Sequence, residues 1–200
     1  LGDTNIYVLT NTSTQYKISL LRKFFALYNV DPVDLVFYLK EDNATDEEEI
    51  AGTRYELRRK YWAYALELMH EANESNSAFS NVNTSKENWI SGFLGHSGVT
   101  ICCVANFDSA RVELYIGKSD KEKNKKIYDY LAKHQSEIEA KIGATLEWNR
   151  KDDTKASRIH IQLNDVSISS ETDWSQMAKF HADWSKKFYD AMVPYLDEVV

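Results

Sequence analysis

Between residues 111 and 116 polar and aliphatic side chains alternate, so that Arg111, Glu113 and Tyr115 fall on one side of an extended chain and Val112, Leu114 and Ile116 on the other. Residues 157–163 repeat the split, with Arg158, His160 and Gln162 opposite Ile159, Ile161 and Leu163. If both ladders join one sheet, with Arg150 and Lys155 flanking the turn before the second, guanidinium, imidazole, ammonium and phenol groups share a surface. Guanidinium forks hold phosphate oxygens and aromatic rings stack on bases. The candidate binding residues are therefore Arg111, Tyr115, Arg150, Lys155, Arg158 and His160, and the candidate partner is nucleic acid. The same residues admit a structural reading, in which Arg111 and Glu113 pair across strands with Glu147 or Arg158 beneath a helix. The sequence leaves both open.

Residues 98–116, GVTICCVANFDSARVELYI, read as a β-hairpin about a polar turn at 106–109, and residues 145–163 as a second hairpin about a turn at 151–155. Helices must cover their apolar faces. One is expected over 53–73, with Tyr55, Trp62, Ala65, Leu66, Met69 and Ala72 as its stripe and Arg54, Arg58, Arg59 and Lys60 in its first turns. A second is expected over 119–142, ended by Gly143, with Ile127, Tyr130, Leu131, His134, Ile138 and Ile142 inward. On it Lys121, Lys123, Lys125 and Lys126 read as a solvated face. The last, opened by Thr172 or Asp173, carries Trp174, Met177, Ala178, His181, Trp184, Phe188, Met192 and Tyr195, with Pro194 kinking or fraying its final turn. His134 and His181 sit in apolar stripes and read as core histidines. The expected fold is α+β in the order αβββαββα, with a mixed or antiparallel central sheet of four to five strands built from two hairpins and packed by long helices. Residues 1–45 read as a strand, two short helices and an acidic linker, and residues 50–200 as the main domain. A start at Leu1 without Met suggests the remnant of an upstream region.

An apolar content of 43% with five Trp and twelve Tyr is enough for one sizeable core. A formal charge of -7 argues against bulk coating of a polyanion, so any nucleic-acid site must be a local patch. Cys102 and Cys103 are adjacent in a predicted strand and point to opposite faces, which prevents a mutual disulfide and fits a reducing, cytoplasmic setting. No Cys/His pattern suits zinc, no phosphate-binding or dinucleotide glycine loop is present, and no cofactor is expected. No apolar run is long enough to span a membrane, and no signal peptide opens the chain.

Six blocks taken in order, Arg54 to Trp62 (R-Y-E-x-x-x-x-Y-W), F-S-N at 79–81, S-K-E-N-W at 85–89, S-A-R-V-E-L-Y-I at 109–116, L-E-W at 146–148 and K-A-S-R-I at 155–159, resemble the bacterial and archaeal domain of unknown function 4268. Members of that family often lie C-terminal to domains similar to PD-(D/E)XK nucleases. The resemblance implies an uncharacterised, non-catalytic accessory domain in a nuclease or defence-type system, contacting nucleic acid, an upstream nuclease domain or a second copy of itself. The alternative is a Mg²⁺-dependent nuclease with a degenerate core. Its strands would be 89–94, 100–107 and 111–116, and Asp108 and Glu113 would hold the metal. The motif's Lys is missing, because Tyr115 stands two residues after Glu113 and Lys118 lies beyond the strand.

Overall fold

The computed structural model describes residues 46–75 and 78–200; the strand and helices expected over residues 1–45 lie outside the described residues. The order is α1 (Asp46–Ala72), β1 (Trp89–Phe93), β2 (Val99–Ala105), β3 (Ser109–Ile116), α2 (Lys121–Lys133), α3 (Gln135–Ile142), β4 (Glu147–Asn149), β5 (Ser157–Asn164), a 3-10 turn at Glu171–Asp173 and α4 (Trp174–Val199). The fold is α+β, and its five strands form one sheet in the order β1-β2-β3-β5-β4. Every pairing is antiparallel, so the two hairpins meet where β3 lies against β5.

Alternation decides which face of the sheet is core. Val99, Ile101, Cys103 and Ala105 on β2, Ala110, Val112, Leu114 and Ile116 on β3, and Ile159 on β5 are all buried on one side. α4 packs on β2 and β3, and α2 packs on β3 and β5. Gly92 lets β1 approach the segment before it, because a Cβ there would come 2.7 Å from the Phe79 ring. α1 is tied in through polar groups as well as through buried Trp62, Ala65, Leu66 and Met69. Tyr61 Oη lies 2.8 Å from His181 Nδ1, and His181 Nε2 lies 3.1 Å from the Val104 carbonyl. A carbonyl only accepts, so Nε2 carries the proton and Nδ1 accepts from the Tyr61 hydroxyl.

Burial pushes the pKa of His181 down to about 4. A histidine in the unfolded chain titrates near 6.5, so between those values the folded state binds fewer protons than the unfolded one. The His181 contribution is complete above about pH 6.5 and is lost as pH falls toward 4, a total of about 3 kcal/mol. Urea unfolding at pH 7 and pH 5 should show the weakening in the native chain and a flatter profile in His181→Gln. Equal slopes in both chains would exclude the imidazole as its source.

The structure amends five sequence expectations. The helix expected from residue 53 begins at Asp46, inside the acidic run, so Arg54 to Lys60 lie within it rather than in its first turn. Tyr55, placed on its inward stripe, is exposed, while Tyr61 is fully buried. The helix expected over 119–142 is two, broken at His134, which caps α2 with φ of -103° and ψ of 16°. His134 is half-buried rather than a core residue, with its ring between Tyr130 and Tyr195 at centroid distances of 5.1 and 4.9 Å. Finally, Lys125 does not belong to a solvated face. It is 4% exposed, and its ammonium donates to the carbonyls of Arg150, Lys151 and Ala156 and to Ser157 Oγ at 2.6 to 3.0 Å, fastening the β4–β5 hairpin to α2.

Candidate functional site

The second face of the sheet follows from the same register. Residues that alternate with the core positions line up across the strands in three rows. One row runs Phe93, Thr100, Tyr115, Arg158 and Asn149; the next runs Ser91, Cys102, Glu113, His160 and Glu147; the third runs Trp89, Val104, Arg111 and Gln162. Over this face lies a cleft of about 520 Å³, lined by residues of all three rows together with Asn88.

Glu113 is the centre of the arrangement. It is 4% exposed, with Arg111 Nε 2.9 Å from one carboxylate oxygen and Arg158 Nε 3.5 Å from the other. The three atoms Arg111 Nε, Glu113 Oε2 and Arg158 Nε are buried without a hydrogen bond, so these contacts are electrostatic and poorly aligned. Two cations around one anion leave one net positive charge in the cleft. Arg158 also lies over the Tyr115 ring, 5.5 Å from its centroid. Trp89, 47% exposed, and Phe93, 61% exposed, add aromatic surface along the β1 edge. Cys102 contributes a thiol whose pKa burial pushes up to about 11, which keeps it protonated and poorly nucleophilic at neutral pH.

His160 is set apart from the cleft. Asn149 Nδ2 lies 3.4 Å from its Nδ1, and the amide donates there, which leaves Nε2–H to face Glu147 Oε2 at 3.2 Å. Burial, outweighing the attraction of Glu147, holds its pKa below the ordinary histidine value. The imidazole is neutral at pH 7.

The structure thus brings Arg111, Tyr115 and Arg158 together and leaves the other expected binding residues elsewhere. Arg150 turns away to form a two-pronged pair with Asp129 at 2.7 and 3.0 Å and a further pair with Asp152. Lys155 is exposed in the β4–β5 loop. Asp108 is exposed in the β2–β3 turn, where Ser109 Oγ donates to it at 2.9 Å. At a strand rise of about 3.3 Å per residue, roughly 16 Å of chain separates it from Glu113. The two carboxylates considered as metal ligands are therefore not brought to one point. Among the described residues no group of three or more His, Cys, Asp or Glu side chains is gathered in one place.

Sequence reasoning missed Trp89, Phe93, Thr100 and Cys102 as members of this face. The alternation W-I-S-G-F at 89–93 carries the signal, since Trp, Ser and Phe fall opposite Ile90 and Gly92. Comparison with known families gives one match among the family models, described as Domain of unknown function (DUF4268), over residues 57–196. No curated protein and no solved structure matches the chain.

Proposed function

The chain belongs to the DUF4268 family, and from that premise we propose that it is a non-catalytic accessory domain which contacts single-stranded nucleic acid through its open sheet face, as part of a nuclease or defence-type system. The observation that carries this reading is the Arg111–Glu113–Arg158 cluster beside Tyr115 and Trp89, lining a cleft on the sheet face opposite the described helices. Guanidinium heads suit phosphate oxygens, and exposed rings offer stacking platforms to bases freed from a duplex. A buried carboxylate between the arginines holds both side chains in place before a ligand arrives, which lowers the ordering cost of binding.

The cluster also fixes the salt dependence. With one net positive charge meeting about one phosphate of a single strand, the logarithm of the binding constant should fall with the logarithm of salt at a slope of about -0.7. Fluorescence anisotropy of a labelled single strand would measure it. Charge reversal at Arg111 and Arg158 should weaken binding by about tenfold or more and flatten the slope. If the native chain retains no strand at low salt, or if reversal leaves affinity unchanged, the face serves a protein partner instead.

A further inference from the structure

The positive charge on the open face is confined to one place. Of the cations the sequence offered, Arg150 is tied to Asp129 and Asp152, Lys125 is buried under the hairpin, and burial keeps His160 neutral. Among the described residues of the three rows, Arg111 and Arg158 alone carry positive charge, and both converge on Glu113. A strand running across the sheet would need a trail of cations beneath successive phosphates. Away from this pair it would instead meet Ser91, Thr100, Val104 and Gln162. The arrangement fits one phosphate.

Two further features say which kind. Glu113 engages the Nε atoms, and the terminal guanidinium nitrogens of both arginines have no hydrogen-bond partner among the described residues. Two forks with free ends present more donors than the two free oxygens of a diester within a strand can accept from, and suit the three oxygens of a monoester. The cleft of about 520 Å³ is the size of a small-molecule site, and its walls include the Tyr115 and Trp89 rings. Resting on the nucleic-acid reading above, we propose that the cleft takes the terminal phosphate monoester of a nucleotide, gripped by Arg111 and Arg158, with the base laid against Tyr115 or Trp89.

The test compares a short single strand carrying a 5′-phosphate, the same strand with a 3′-phosphate, and the strand with hydroxyls at both ends, each labelled away from the end in question. One phosphorylated strand should bind about tenfold more tightly than the hydroxyl strand or better, the worth of one added charge-assisted contact. That gap should collapse in Arg158→Lys, which keeps the charge beside Glu113 and loses the fork. A melting curve matching the native chain guards against misfolding of the variant, and Arg111→Lys provides an independent second variant. Equal affinity for all three strands overturns the proposal while leaving strand binding intact, whereas binding of none removes the nucleic-acid reading with it. Adenosine 5′-monophosphate as competitor separates the sources. Displacement at the affinity of the strand supports the phosphate site and assigns it to a free nucleotide; much weaker displacement supports it as a strand end.

Discussion

Replacing Lys125 with Met should lower stability by about 3 kcal/mol and the melting temperature by about 6–12 °C, while the same change at Lys126, one residue on, should do almost nothing. The two lysines share a helix and a sequence context but not a surrounding. Lys126 is exposed, whereas the Lys125 ammonium is enclosed by three carbonyls and a hydroxyl from the loop between β4 and β5. Those acceptors are not all orphaned by the change. Ser157 Oγ still donates to Arg150 O at 2.7 Å, and Thr154 donates to Lys151 O and Ala156 O. The cost is therefore the loss of several charge-assisted hydrogen bonds, offset by no longer burying an ammonium. Thermal unfolding followed by circular dichroism would measure both variants, and matching melts would show that the hairpin is held by something else.

The second large effect is expected at Glu113. Among the described residues its carboxylate is the only negative group lining the cleft, so Glu113→Gln leaves two like charges close together, partly screened because the Arg111 and Arg158 side chains are 24% and 36% exposed. Only the carboxylate of this ion cluster is fully buried, so breaking it should cost about 1–3 kcal/mol, between the values for exposed and buried pairs. The double variant Glu113→Gln, Arg111→Gln removes a charge of each sign and should recover part of that loss, a coupling readable from denaturant unfolding as a double-mutant cycle. Additive losses would mean that the carboxylate and guanidinium act independently. Either way the single variant separates stability from binding: the freed arginines should hold an anionic strand at least as well as the native pair once the chain is folded.

Much of the fold was legible because the relevant signals are local. The alternation in residues 111–116 and 157–163 gave both long strands, and the adjacency of Cys102 and Cys103 told that the two thiols face opposite sides, though not that Cys102 joins the cleft. Gly143 does end a helix in the left-handed conformation, with φ of 79°. His181 is the buried, hydrogen-bonded core residue that its stripe implied. What the pattern could not give depends on contacts distant in sequence. His134 breaks a helix where Tyr195, far along the chain, stacks against it. Only one of four nearby lysines is buried, and which one is set by where the later hairpin lands. Arg150 lies in the right segment to join the open face yet is claimed by Asp129 of α2. The ion pair that the structural reading expected of Arg111 and Glu113 exists, and among the described residues no hydrogen bond engages the guanidinium ends beyond it.

The central claim is that a nucleic-acid strand meets this protein on the open sheet face. Its most direct test is a titration of the isotope-labelled chain with a short single strand, followed by nuclear magnetic resonance. The account predicts shifts concentrated at the Trp89 indole, the Tyr115 ring and the Arg111 and Arg158 guanidinium groups, with the buried Tyr61–His181 pair unmoved. Shifts confined to the outer surfaces of α1 and α4, with those four residues unchanged, would contradict it.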